Sequence, residues 1–347
     1  MTPSALASND ALAAIASCSS TEVVGTGHGS LRPRIFVQIA SYRDRECQWT
    51  LRDLFTKAAQ PERIFAGVVW QYVPGEDADC FRIETRPEQV RQLMVHARDS
   101  LGVCWARHLA QRLWRDEEFV LQIDSHSRFE PGWDELLLEQ WAACESERAL
   151  LSAYPPAYLP PDKLEPAVTY MVCAGFNDQG IAMMRAYSMA PANAPSRPRL
   201  GAFISAGFLF GPAAMIGDVP YDPYLYFHGE EISLAVRLWT SGWNFFSPCK
   251  PILYHLYNTA QTRELKLRGL HWEDHRDWVI HDRRSLARVR HLLAGEPCDE
   301  PLALRELDRY GLGRQRTLAE YEAFSGLSFA QRQVAEKALK GLFSTTP

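Results

Sequence analysis

The sequence lacks the C-x-x-C spacing of many zinc and redox motifs, although it contains 8 cysteines. Cysteines scattered through apolar and helical contexts indicate small buried side chains in a reducing compartment. We therefore expect a cytoplasmic protein with neither a disulfide framework nor a zinc–cysteine site. A strong charge excess is also missing. The formal net charge of -5 gives no electrostatic reason to bind nucleic acid or an anionic membrane.

Long apolar runs and targeting signals are missing as well. No stretch is apolar for the length of a transmembrane helix. Residues 1–33 lack the basic start and the apolar core of a signal peptide, so we interpret them as a flexible leader. The expected class is a globular protein of enzyme size.

The chain does contain an alternation of strand and helix patterns from residue 34 onward. Apolar runs predict buried strands, and apolar positions three to four residues apart predict helices. Strands are predicted at 34–40, 63–71, 119–124, 150–153 and 244–247, and helices at 50–59, 103–115, 131–145 and 232–240. Segment 89–97 fits either element. The alternation predicts an α/β fold with a doubly wound, mostly parallel sheet flanked by helices.

We predict one α/β domain at 34–282 and a helical C-terminal extension at 283–347. Proline-rich loops at 155–166 and 190–198 bracket segment 168–189, which we expect not to be regular throughout. Loops of this length suit a lid or an acceptor-binding surface, and a plain surface insertion fits each loop equally well.

Asp124 follows a predicted buried strand, and His126 lies two positions further on. Side chains alternate along a strand, so both residues leave on the same side if the strand geometry continues. Open α/β sheets bind ligands at the carboxyl ends of their strands, and a carboxylate with an imidazole there can hold a divalent cation. The alternative is that Asp124 caps a turn and His126 is an ordinary loop histidine.

A second informative block contains two adjacent carboxylates, Glu230 and Glu231, at the start of a predicted helix. Acidic residues are stabilised at a helix N-terminus by the macrodipole, which is the structural alternative to a role at a ligand. Adjacent helical residues point about 100° apart, so one carboxylate can face a ligand while the other braces the helix. His255 ends a later apolar run, as Asp124 does, and a third ligand of this kind would complete a set that suits manganese.

Five motifs resemble those of GT-A glycosyltransferases and follow one another in the same order. They are I-A-S-Y-R-D at 39–44, G-x-x-x-A-R at 102–107, D-S-H at 124–126, the G-E-E block at 229–242 and the late His255. The D-x-H form is similar to that of polypeptide N-acetylgalactosaminyltransferases. The segments Q-I-D-S-H-x-R-F and G-E-E look closer still to the cytoplasmic family that transfers N-acetylglucosamine to hydroxyproline of a ubiquitin-ligase subunit, and to its bacterial relatives.

This resemblance implies a GT-A fold, a UDP-sugar donor, a divalent metal (Mn²⁺ or Mg²⁺) and retention of configuration at the anomeric carbon. Asp124, His126 and His255 would hold the metal, and Glu230 and Glu231 would lie near the reacting sugar. The other residues expected at the donor are Ser41, Tyr42, Arg43, Asp44, Arg98, Arg107, Ser125 and Gly207.

Among these, the arginines would clamp the diphosphate because a guanidinium binds phosphate bidentately. Arg98 and Arg107 fit solvated helix positions equally well. Tyr42 would stack on uracil, Asp44 would accept a hydrogen bond from the nucleoside, and Gly207 would line the sugar pocket or form a tight strand turn.

The function expected from the sequence is metal-dependent transfer of N-acetylglucosamine from UDP-GlcNAc to a hydroxyl group on a protein or glycan. Three alternatives remain open: transfer of another UDP-sugar to a glycan or small molecule, nucleotide-sugar binding without turnover, and metal-dependent hydrolysis. The sequence predicts neither the acceptor nor the oligomeric state.

Overall fold

A computed structural model of the protein describes residues 33–80 and 82–344. The predicted leader at 1–33 lies outside these ranges except for Pro33. Within the described residues, no helix has the length and apolar character needed to cross a membrane.

The strands, in chain order, are β1 (Ile35–Tyr42), β2 (Ile64–Tyr72), β3 (Val90–His96), β4 (Phe119–Asp124), β5 (Ser127–Phe129), β6 (Ala149–Ser152), β7 (Tyr158–Leu159), β8 (Lys163–Leu164), β9 (Val168–Phe176), β10 (Ala182–Met189), β11 (Arg199–Gly201), β12 (Phe208–Pro212), β13 (Asn244–Ser247), β14 (Leu253–His255), β15 (Leu327–Ser328) and β16 (Gln333–Val334). The α-helices are α1 (Cys47–Lys57), α2 (Val103–Gln111), α3 (Trp133–Ala142), α4 (Ala214–Asp218), α5 (Glu230–Thr240), α6 (Ala260–Glu264), α7 (His271–Asp274), α8 (Trp278–Ala294), α9 (Leu307–Tyr310), α10 (Leu318–Ser325) and α11 (Glu336–Lys340).

The central sheet has 8 strands in the order β11-β13-β6-β12-β4-β1-β2-β3. Strands β4, β1, β2 and β3 are parallel neighbours, and β13 is parallel to β6. β12 runs antiparallel between β4 and β6, and β11 is an antiparallel edge strand. The prediction of a mostly parallel α/β sheet is confirmed, and segment 89–97 is resolved as strand β3.

Two hydrophobic clusters cover the two faces of this sheet, as the alternation of side chains along β1 requires. Ile35 and Val37 belong to the cluster that includes residues of α1 and α3. Phe36 lies between them in sequence and belongs to the other cluster, which includes residues of α5 and α8. The parallel direction of β4, β1, β2 and β3 places their carboxyl ends at one edge of the sheet between these clusters.

The C-terminal residues contribute to the same core. Tyr321, Phe329 and Ala338 are buried in the cluster shared with α5. The boundary predicted between residues 282 and 283 falls inside α8. The separate helical extension remains a prediction.

Segment 168–189, which was predicted not to be regular throughout, forms an antiparallel hairpin of β9 and β10 with a register shift between Met183 and Met184. One predicted boundary was wrong. The helix predicted at 131–145 begins only at Trp133, because Gly132 has φ 72 and lies in the left-handed region.

Candidate active site

A cavity of about 600 Å³ opens at the carboxyl edge of the central sheet. Register places Ala40 of β1 beside Asp124 of β4, and Tyr42 beside Gln71 of β2, so the loops after these strands meet there. The wall of the cavity also contains residues of β10, of the start of α5 and of the segment from Tyr257 to Trp272. This edge is where doubly wound sheets bind their ligands.

Asp124, His126 and His255 come together at the bottom of this cavity. β14 pairs antiparallel with β5, and this register sets His255 opposite Ser127, next to the end of β4. His255 Nε2 lies 3.0 Å from Asp124 Oδ2, and one ligand atom from each residue lies within 4.8 Å of the others. Separation on this scale permits a shared cation.

The chemistry of the triad fits a divalent metal. Asp44 Oδ2 accepts a hydrogen bond from His126 Nδ1 at 2.7 Å, which leaves the Nε2 lone pair for a ligand. Burial, reinforced by the positive charge of Arg268, lowers the pKa of His126 to about 4, so the ring is neutral at pH 7 as a metal ligand must be. His255 Nδ1 is buried and has no hydrogen-bond partner among the described residues. One carboxylate and two imidazoles form a mixed oxygen and nitrogen ligand set of the kind that holds divalent metal ions.

Arg107 links the triad to the start of α5. Its Nη2 donates to Asp124 Oδ1 at 2.5 Å, and its Nη1 donates to Glu230. Burial works to raise the pKa of Asp124, but the charge of Arg107 and the hydrogen bond from His255 outweigh it and hold that pKa well below its usual value. The Asp124 carboxyl group is therefore ionised at neutral pH.

Glu230 is a buried member of an ion pair. Its side chain is 4% exposed and accepts hydrogen bonds from Arg107 and from the hydroxyl of Tyr221. The Tyr221 hydroxyl in turn accepts from Gln122 Nε2 at 3.3 Å. These bonds fix Glu230 as a brace behind Arg107.

Glu231 is held by the segment just before β12 and by the tyrosine that follows β6. Ala206 N–H donates to Glu231 Oε1 at 2.9 Å, and the Tyr154 hydroxyl donates to Oε2. Burial raises the pKa of Glu231 to about 7, although these two hydrogen bonds oppose the rise. A carboxyl group with this pKa exchanges a proton near neutrality.

Gly207 is required by close approach rather than by backbone angle. A Cβ built at this position would lie 2.8 Å from Asp124 Oδ2, so a larger residue would displace the carboxylate. The glycine that interrupts the sequence 205–208 therefore lets the backbone lie against the metal triad.

Most of the predicted site residues line the cavity. These are Tyr42, Asp44, Arg107, Asp124, Ser125, His126, Gly207, Glu230, Glu231 and His255. Asp44 and Ser125 face inward onto His126: Ser125 Oγ donates to Asp44 Oδ2 at 2.6 Å, beside the bond from the imidazole. The Asp44 carboxylate is thus directed to the histidine, while its predicted contact with the nucleoside stays a prediction.

Three predicted donor-binding residues are not part of the cavity wall. Ser41 is buried inside β1. Arg43 is turned to an acidic group outside the cavity, where its Nε lies 2.9 Å from Asp77 and its Nη1 lies 3.1 Å from Asp274. Arg98 is exposed in a short turn after β3. Their roles at the donor remain predictions without support from this geometry.

Several other cavity residues were not predicted from the sequence. Tyr154 follows the end of β6, and its hydroxyl is the partner of Glu231. Arg268 contacts His126 through its guanidinium. Phe227 and Trp272 are exposed at the mouth with ring centroids 6.0 Å apart. The strand end at Ser152 was a usable signal for Tyr154, whereas the loop that carries Arg268 offers none.

The order and direction of the strands fit the GT-A fold. A similar solved structure is the crystal structure of GalNAc-T7 with UDP, GalNAc and Mn²⁺, with a TM-score of 0.60 and 12% sequence identity. The similarity covers 86% of this chain and 58% of that chain, so this protein spans little more than half of the length of its structural neighbour.

The family follows from the sequence profile. The profile described as Glycosyltransferase (GlcNAc) matches residues 34–86 and 79–331, and the chain belongs to this family of glycosyltransferases. The second match extends beyond residue 282 into the C-terminal helices. No curated protein sequence gives a significant match.

Proposed function

We propose that the protein transfers N-acetylglucosamine from UDP-GlcNAc to a hydroxyl acceptor in a reaction that depends on a divalent metal. The observation that carries this proposal is the convergence of Asp124, His126 and His255 in the cavity at the carboxyl edge of the sheet. The family description names the sugar, and the structural neighbour was solved with a uridine nucleotide and Mn²⁺. Both support the proposal.

In the proposed site, Asp124, His126 and His255 would hold the cation. The cation would supply positive charge that stabilises the diphosphate leaving group. Asp44 keeps His126 in the tautomer that leaves Nε2 free. Arg107 donates to both Asp124 and Glu230, so we propose that it orients Asp124. The direct phosphate clamp expected from the sequence stays a prediction.

The two glutamates have different roles in this proposal. Glu230 is enclosed by its ion pair and holds Arg107 in place. Glu231 lines the cavity with a pKa near neutrality and is positioned to exchange a hydrogen bond with the donor sugar or the acceptor hydroxyl. Retention of configuration, expected from the family resemblance, requires no protein base if the leaving phosphate takes the acceptor proton.

The acceptor is proposed to be a hydroxyl group on a protein or glycan, and hydroxyproline is the form suggested by the resemblance. Phe227 and Trp272 give the mouth of the cavity two exposed aromatic rings for the apolar face of such an acceptor.

The reaction is proposed to take place in a reducing, cytoplasmic setting. All seven cysteines in the described part of the chain are free thiols, which fits such a compartment.

The test is a donor panel read by UDP release, with and without Mn²⁺ and with protein and glycan acceptors. We expect UDP-GlcNAc to give the fastest release and EDTA to abolish it. Asp124→Ala should lower the release at least about 100-fold, because even the partners behind a metal ligand contribute about 10–100-fold. A higher rate with another UDP-sugar contradicts the proposed donor. Release of free sugar at a rate insensitive to acceptor indicates a hydrolase, and UDP binding without release indicates a binding protein.

A further inference from the structure

The guanidinium of Arg268 contacts the atom of His126 that a metal needs. His126 Nδ1 is bonded to Asp44, so Nε2 carries the free lone pair, and Arg268 Nη1 donates to this Nε2. One lone pair serves one partner at a time. A cation held by His126 and the hydrogen bond from Arg268 therefore exclude each other.

The backbone around Arg268 is fixed, so only its side chain has to move. Arg45 N–H donates to Leu267 O at 2.9 Å, and Gly269 N–H donates to Arg43 O at 3.0 Å. These bonds flank an antiparallel bridge between Asp44 and Arg268 itself. A change in the rotamer of Arg268 is therefore enough to free His126, without movement of the surrounding loop.

Once it leaves Nε2, the guanidinium needs a new acceptor. Arg268 lines the cavity beside the triad, where a divalent cation alone would repel it. A diphosphate bound with the cation supplies oxygens that a guanidinium binds well. Displacement of Arg268 is thus unfavourable for the bare cation and favourable for the cation together with the diphosphate.

We propose that Arg268 is a side-chain latch on His126 that opposes binding of a divalent cation alone and couples it to binding of a nucleoside diphosphate. This inference rests on the proposed metal-dependent function. The coupling is reciprocal, since each ligand raises the affinity for the other by the same factor. The affinity of the site for the metal would therefore depend on whether the donor diphosphate is bound.

The test is isothermal titration of the full chain with Mn²⁺, with and without saturating UDP. In Arg268→Ala we expect Mn²⁺ alone to bind roughly tenfold tighter than in the wild type, the size of a lost hydrogen bond to a charged group. We also expect the enhancement of Mn²⁺ affinity by UDP to fall by a similar factor. Arg268→Met keeps the length of the side chain and should behave alike, which guards against a folding defect in the alanine variant.

Arg263→Ala is the matched control for charge. Arg263 also lines the cavity, but its Nε donates to Asn258 Oδ1 at 3.0 Å. Equal changes in the Arg263 and Arg268 variants would show a general charge effect and overturn the latch, as would an unchanged Mn²⁺ affinity in folded Arg268→Ala. Asp124→Ala separates the two proposals: if wild type and Asp124→Ala bind Mn²⁺ equally, the metal site itself is wrong.

Discussion

Replacing Asp44 with asparagine tests how the protein prepares His126 for the metal. Asp44 is 2% exposed and accepts hydrogen bonds from Glu46 N–H at 2.9 Å, Ser125 Oγ at 2.6 Å and His126 Nδ1 at 2.7 Å. Asparagine keeps the shape but removes the charge, and its amide group can donate to Nδ1. That reversal would place the ring proton on Nε2 and block metal binding.

The magnitude follows from the role of the carboxylate. Partners behind a ligating histidine typically contribute about 10–100-fold to metal affinity. We therefore expect Asp44→Asn to weaken Mn²⁺ binding by about this factor, or about 1.4–2.8 kcal/mol. The free energy of unfolding should also fall by about 1–3 kcal/mol, because a buried charge-assisted hydrogen bond is lost.

The assay is calorimetric titration with Mn²⁺ in the presence of UDP, beside chemical denaturation of each variant. Asp53→Asn is the control, since this carboxylate accepts from Phe129 N–H at 2.7 Å and pairs with Lys57 at 3.1 Å, outside the cavity wall. Its Mn²⁺ affinity should match that of the wild type. An Mn²⁺ affinity that is unchanged in folded Asp44→Asn would refute the role assigned to Asp44.

Three further predictions concern the surroundings of the triad. Because burial raises the pKa of Glu231 to about 7, the free energy of unfolding should fall progressively as pH rises from about 4.5 to 7. Glu231→Gln should remove up to about 3 kcal/mol of this fall. Urea denaturation across that pH range measures the difference. Gly207→Ala places a Cβ against Asp124 and should weaken Mn²⁺ binding in calorimetry, whereas Gly217→Ala, whose Cβ meets nothing within 4 Å, should not. Tyr221→Phe removes a buried hydroxyl from the arginine–glutamate pair and should lower the unfolding free energy by about 1–3 kcal/mol; an unchanged value would contradict the network.

The metal triad illustrates what local pattern can predict. Asp124 and His126 were identified from an apolar run and a two-residue step, both of which are properties of a single strand. His255 was identified as the end of another apolar run. The antiparallel register of β14 on β5, which brings it beside Asp124, depends on long-range pairing that no local pattern specifies.

The residues behind the triad show where local pattern fails. Glu230 forms a buried ion pair with Arg107, a contact between α2 and α5 that the helix-start pattern does not specify. Its predicted place near the reacting sugar stays a prediction. Arg98 has the same residue type as Arg107, yet it lies in an exposed turn while Arg107 faces inward from α2. Arg268 reaches His126 through a contact across more than a hundred residues of chain, which residue spacing does not encode.

A crystal structure of the protein with UDP and Mn²⁺, with anomalous scattering to locate the metal, would show whether Asp124, His126 and His255 hold the cation at the donor. We expect one strong anomalous peak bonded to these three residues and joined to the diphosphate of UDP, with the Arg268 guanidinium moved off His126. A manganese peak elsewhere in the cavity, or UDP bound without contact to the metal, would contradict this expectation.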